Sequence, residues 1–213
     1  VEADGWLYLD EMEAFGTKAV TGNTVRLANS GLDSVIFYTN SETAQYATTE
    51  NTPIKAENIN LIYISDKDES KYNEKLLLPY VAYLDEQGNI VDTMMDGFVY
   101  LPTSPLPSGG EPHAGTKMSD WEWLFENTFH GVYGFDKLDE TVATVKDALN
   151  KPDHKVQVYV TILTPIEGQT DFGDVDGDGG NEDFSKLEDI EKVIRWYVSK
   201  CLEEFEKCGY ENL

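Results

Sequence analysis

The chain has 213 residues, 40% hydrophobic and 26% charged, which suits one or two globular domains with a sizeable core rather than disorder. Sixteen basic against 40 acidic side chains leave a net charge of -24. Phosphate recognition needs clustered Lys and Arg, so nucleic acid and anionic lipid surfaces are poor partners, while cations and neutral ligands such as sugars stay open. No apolar run is long enough to span a membrane, so no membrane insertion is expected. Val1 opens without a charged or apolar leader, so any signal peptide is expected to be removed or to lie outside the chain.

In chain order, Gly5-Trp-Leu-Tyr-Leu-Asp-Glu-Met-Glu-Ala-Phe-Gly16 reads as a strand before a glycine. The string resembles the closing strand of discoidin-type β-sandwich domains, so residues 1–20 are expected to be the tail of such a module, a short β-rich N-terminal segment. Thr24–Asn29 and Leu32–Thr39 suit a hairpin about Ser30-Gly31, followed by a polar linker, so residues 21–57 are assigned as hairpin and linker.

From Asn58 the pattern changes to an Ile-rich β-run ending near Ser65, then extended pieces at Pro79–Asp85 and Asn89–Leu101 joined by Glu86-Gln87-Gly88. After a loop rich in Pro, Gly and Ser, Ser119 with Glu122 predicts a capping box opening a helix. Leu138, Val142, Val145 and Leu149 form the stripe of a second helix, stopped by Asn150 and Pro152. Lys155–Pro165 reads as a strand, and Ser185 with Glu188 predicts the cap of a last helix ending at Gly209. Tyr210–Leu213 has the character of a new strand. Strand, loop and helix in alternation predict an α/β domain with parallel strands over residues 58–213. Cys201 and Cys208 share a helix face but lie roughly 10.5 Å apart, too far for a disulfide, so both are expected as buried free thiols.

Leu78-Pro-Tyr-Val-Ala-Tyr-Leu-Asp85, Ser119-Asp-Trp-Glu-Trp123, Asp171-Phe-Gly-Asp-Val-Asp-Gly-Asp-Gly179 and Val193-Ile-Arg-Trp-Tyr197 resemble, in that order, bacterial proteins grouped as domain of unknown function 4855. The resemblance implies a secreted, multidomain bacterial protein with discoidin-like modules, extracellular or at the cell surface. It also implies a (β/α) barrel related to glycoside hydrolases, of which residues 58–213 would be the N-terminal portion. A catalytic glutamate is then expected beyond Leu213.

The densest chemistry lies at Asp174-Val-Asp-Gly-Asp-Gly-Gly-Asn-Glu-Asp183. Asp174, Asp176 and Asp178 alternate around glycines that permit a sharp turn, which is the pattern calcium requires of its oxygen ligands. The match to an EF-hand loop runs from Asp174 to Gly179 and then fails, because Ser185 stands where a bidentate Glu belongs. Glu182, Asp183 or Glu188 would complete the shell, with Glu182 and Asp183 favoured; the competing reading is a solvated acidic turn. A glycosidase further needs two carboxylates across the scissile bond, about 5–5.5 Å apart for retention or about 6.5–9.5 Å for inversion. Asp96, among apolar neighbours, and Glu167, after the Lys155–Pro165 strand, are the catalytic candidates. Asp171, Tyr100, Trp121 and Trp123 are the candidates for sugar binding, through hydrogen bonds or ring stacking. Against these stand an Asp96 paired with a basic side chain, loop carboxylates that are only solvated, and aromatics that are core; Trp196 is read as core.

Other chemistries find no support. No nucleophile elbow occurs, His113, His130 and His154 are scattered, and neither H-E-x-x-H nor a Cys cluster suggests zinc. The expected function is a calcium-stabilised, glycoside-hydrolase-like protein acting on a glycan, or alternatively a non-catalytic glycan-binding or adhesive module.

Overall fold

The computed structural model describes residues 56–64 and 74–213. The expected N-terminal strand, hairpin and linker lie outside the described residues, except for the linker's last positions. The Ile-rich run forms strand β1 (Ile59–Ile64), with Ile62 and Ile64 buried and Leu61 and Tyr63 exposed on the other face. Three consecutive leucines favour helix, and α1 (Glu74–Val81) carries Pro79 in its last turn. The piece expected as extended from Pro79 is therefore helical to Val81, and only β2 (Ala82–Leu84) is strand. The end of α1 is satisfied by its neighbours: the amides of Met94 and Met95 donate to the carbonyls of Val81 and Tyr80.

The run expected as one strand from Asn89 to Leu101 is two. β3 (Ile90–Thr93) pairs antiparallel with β2, and β4 (Gly97–Pro102) pairs parallel with β1. Between them the backbone donors change partner, from the α1 carbonyls at Met94 and Met95 to Asn58 at Asp96 and Gly97. Gly97 faces Ile59 in register, and a Cβ there would meet the Ala56 Cβ at 2.8 Å, so the entry to β1 leaves no room for a side chain.

Helices α2 (Met118–Phe129) and α3 (Phe135–Leu149) precede β5 (Gln157–Val160), and α4 (Leu187–Cys208) follows it. These spans follow the apolar stripes in the sequence. The caps differ from expectation. Lys117, not Ser119, is the N-cap of α2, and the buried Asp120 carboxylate accepts the Lys117 amide at 2.8 Å. Likewise Lys186, not Ser185, precedes α4, where Asp189 accepts the Asp183 amide at 3.1 Å. In both cases an acid in the first turn reaches back, and the hydroxyl is not needed.

β4 pairs in parallel with both β1 and β5, giving a sheet ordered β1-β4-β5, while β2 and β3 form a separate two-stranded ribbon. This corrects the expected (β/α) barrel. Among the described residues the parallel sheet is open, with β1 and β5 as edges that do not meet. The α/β alternation is real, but it specifies parallel pairing without specifying closure. The last residues also depart from expectation: Tyr210–Leu213 forms no strand. Instead the buried Asn212 side chain bonds Asp139 and Lys146, and its carbonyl accepts the Val156 amide.

The core lies on the sheet face that carries Ile62, Ile64, Phe98 and Tyr100. Tyr100 meets Phe135 edge-on at 4.9 Å between centroids and donates its hydroxyl to the Tyr133 carbonyl at 2.6 Å. Trp121 stands edge-on to both Phe172 and Tyr197, joining α2 to α4 and to the loop after β5. No helix among the described residues is long and apolar enough to cross a membrane.

Candidate functional site

Because the three strands are parallel, the loops following β4 and β5 leave from the same edge of the sheet, where ligands gather in open α/β folds. The two loops are fastened together. Thr164 donates its amide to Pro112, Met118 donates to Phe172, and the Gln169 side chain donates to the Thr116 carbonyl at 2.6 Å. Lys117 forms an ion pair with Asp171, and this hydrogen bond holds the Asp171 carboxyl below its ordinary value. Asp120 anchors the first loop from below, accepting the Ser108 amide at 2.9 Å and the Ser108 hydroxyl at 2.6 Å.

The acidic stretch folds at the end of the second loop. Asp174 organises it: one carboxylate oxygen accepts the amides of Gly177 and Asp178, and the other accepts Gly179 at 2.9 Å. Gly177 and Gly179 take φ of 75° and 94°, a region side chains avoid, so the turn depends on them. One carboxylate oxygen from each of Asp174, Asp176 and Asp178 falls within 4.8 Å of the others. Each ionised oxygen has two lone pairs, so the Asp174 oxygen that accepts two amides is filled, while its other oxygen, with one amide, keeps capacity for a cation. Lys192 of α4 approaches from behind, 2.8 Å from Asp176 and 3.2 Å from Glu182. The Glu182 contact pairs charge without hydrogen-bond alignment. The Lys192 hydrogen bond lowers the Asp176 pKa, and the contacts with Asp176 and Glu182 raise that of Lys192. Glu182 is buried. Asp183 turns away, accepting the amide and hydroxyl of Ser185 at 3.0 and 2.6 Å.

Residues 58–213 match the family model described as Domain of unknown function (DUF4855). The chain belongs to this family. No curated protein and no solved structure matches it.

Within the DUF4855 domain, the remaining candidates scatter. Asp96 precedes β4 at the opposite, amino edge of the sheet, where it accepts the amides of Glu57 and Asn58 at 3.0 and 2.7 Å. Its partners are backbone amides, not the basic side chain weighed from the sequence. Glu167 is exposed in the loop after β5. A six-residue strand spans roughly 20 Å, so Asp96 and Glu167 are separated well beyond the ~9.5 Å limit for a pair flanking one glycosidic bond. Tyr100 and Trp121 are fully buried, with Trp121 donating to the Thr116 hydroxyl at 3.0 Å, so neither ring presents a face to a sugar. Trp123 is half-buried against the core, as is Trp196.

The structure also gathers residues that the sequence does not connect. His130 ends α2, Asp136 lies in the first turn of α3, and Glu204 and Cys208 lie one turn apart at the end of α4. Metal-ligand atoms of His130, Glu204 and Cys208 fall within 4.8 Å of one another. The two cysteines are free, but only Cys201 is buried; Cys208 is half-exposed. Burial drives the Cys201 thiol up to about 12, which makes it inert. The i, i+4 pairing of Glu204 with Cys208 on one helix face was visible in the sequence, but its partner His130 was not.

Proposed function

We propose that the loop from Asp174 to Glu182 binds calcium, and that the DUF4855 domain is a calcium-stabilised, glycan-directed module of a secreted bacterial protein. The convergence of the Asp174, Asp176 and Asp178 oxygens carries the calcium reading. The donors are hard oxygens, the turn is already shaped by Asp174, and Glu182 contacts the same Lys192 as Asp176. Asp183 gives one oxygen to Ser185, and its other oxygen lies 3.5 Å from Lys186, which a cation would have to displace. A bound cation would compete with Lys192 for Asp176, exchanging that contact with α4 for a closed acidic loop.

Stability should rise by RT ln(1 + [Ca²⁺]/Kd), about 2.7 kcal/mol at a hundredfold excess over Kd. Melting the full chain with calcium, with chelator, and as Asp176→Ala tests it. The wild-type midpoint should move with calcium and that of the variant should not; equal midpoints throughout would leave an acidic turn.

The glycan reading is supported by the motif resemblance, the acidic surface and the exposed carboxylates Glu167 and Asp171 at the strand ends. The separation of Asp96 from Glu167 favours binding over hydrolysis within these residues. A glycan array combined with reducing-end release separates the two: binding without release supports a recognition module, release supports an enzyme, and neither overturns both.

A further inference from the structure

We infer that His130, Glu204 and Cys208 form a second metal site, one for a borderline-soft divalent ion of the zinc class, with Asp136 as the residue that orients the histidine. This site is distinct from the acidic loop and does not depend on the calcium reading. Its donors are one imidazole nitrogen, one carboxylate oxygen and one sulfur, a set that suits zinc and is foreign to calcium.

The spacing fits the ion. His130 Nε2 lies 3.2 Å from Glu204 Oε1, and Cys208 Sγ lies 3.4 Å from the same oxygen. A tetrahedral ion with bonds of about 2.0–2.1 Å to nitrogen and oxygen and about 2.3 Å to sulfur separates such pairs by roughly 3.3 and 3.5 Å. Two of the three pairs therefore already stand at ligand spacing, and the third, His130 with Cys208, lies within 4.8 Å.

The surroundings supply what a ligating histidine needs. His130 Nδ1 is 2.9 Å from Asp136 Oδ2, and the other Asp136 oxygen accepts the Tyr210 hydroxyl at 2.6 Å. A carboxylate on the far ring nitrogen fixes the tautomer that leaves Nε2 free to ligate, and Tyr210 fixes the carboxylate. His130, Cys208, Asp136 and Tyr210 line one open cleft, so an ion can enter and water can take the fourth position.

The competitor for Glu204 is Lys207, 2.8 Å from its Oε1. Lys207 is 74% exposed and can swing into water when a divalent ion arrives. On binding, the Cys208 S–H proton passes to solvent and the thiolate forms a bond to the metal; no electrons change hands.

The test titrates the full chain, saturated with calcium, first with Co²⁺ as a spectroscopic probe and then with Zn²⁺. One equivalent of Co²⁺ should give tetrahedral d–d bands and a thiolate charge-transfer band, both removed by Zn²⁺. Cys208→Ser should abolish the charge-transfer band, His130→Gln should weaken binding at least tenfold, and Asp136→Asn should weaken it by about 10–100-fold. Asp176→Ala should leave the site intact. If Cys208→Ser does not fold, the more exposed His130→Gln carries the decision. The absence of a thiolate band at one equivalent, the same band in Cys208→Ser, or undiminished affinity in His130→Gln would overturn the assignment and leave a hydrogen-bonded cluster.

Discussion

Asp120→Ala is the most informative perturbation of the rim. The carboxylate is fully buried and accepts three hydrogen bonds, from the Ser108 amide, the Ser108 hydroxyl and the Lys117 amide. The hydroxyl can turn its proton to water, because Ser108 is exposed. The two amides cannot turn, and a buried donor left without a partner costs about 1–3 kcal/mol. Partial access of water at Ser108 trims the total, so a loss of about 2–4 kcal/mol is expected, or roughly 4–16 °C in midpoint for a chain of this size. Urea unfolding of the full chain measures it, with an unchanged slope showing that the native state alone was altered. Asp120→Asn should fall between wild type and Ala, since its one carbonyl oxygen can accept only part of the set while its amide faces donors. A loss below about 1 kcal/mol for Asp120→Ala would show that the loop is held by its apolar contacts instead.

Two further outcomes follow from the geometry. Gly97→Ala places a Cβ 2.8 Å from that of Ala56 and 3.0 Å from Ile59 Cγ1, so it should destabilise by about 1–3 kcal/mol in denaturant unfolding; a neutral result would show that the entry to β1 yields easily. Asp92 is held below its ordinary 3.8 by its hydrogen bond to Lys151, so its contribution is present at neutral pH and is lost as the pH falls through the depressed folded value. The stability gap between wild type and Asp92→Asn should therefore close on acidification, and it should be small at any pH because both side chains are largely exposed.

The acidic loop was legible because all its donors lie within ten consecutive residues, where spacing alone brings side chains together. The parallel strands were legible for a related reason: Ile59–Ile64 and the β-branched residues around Val158 carry their own preference. What sequence could not supply was partnership. The apolar run across Ile90–Leu101 reads the same whether it serves one sheet or two, and only the exchange of donors at Met94 and Asp96 divides it. Tyr100 and Trp121 carry the same chemistry on a sugar site or in a core, and packing against Phe135 and Phe172 decides the matter. The His130 cluster needed the ends of three helices to meet, which no local spacing encodes.

The cross-fastening of the two rim loops has a consequence for hydrogen exchange. Thr164 donates to the first loop and Met118 to the second, so neither loop can peel away while the other keeps its protection. Their amides belong to one cooperative opening unit, in which a single fluctuation exposes both. A cation held at Asp174 would stabilise the closed form of that unit from its far end, slowing exchange at Thr164 and Met118 although it touches neither.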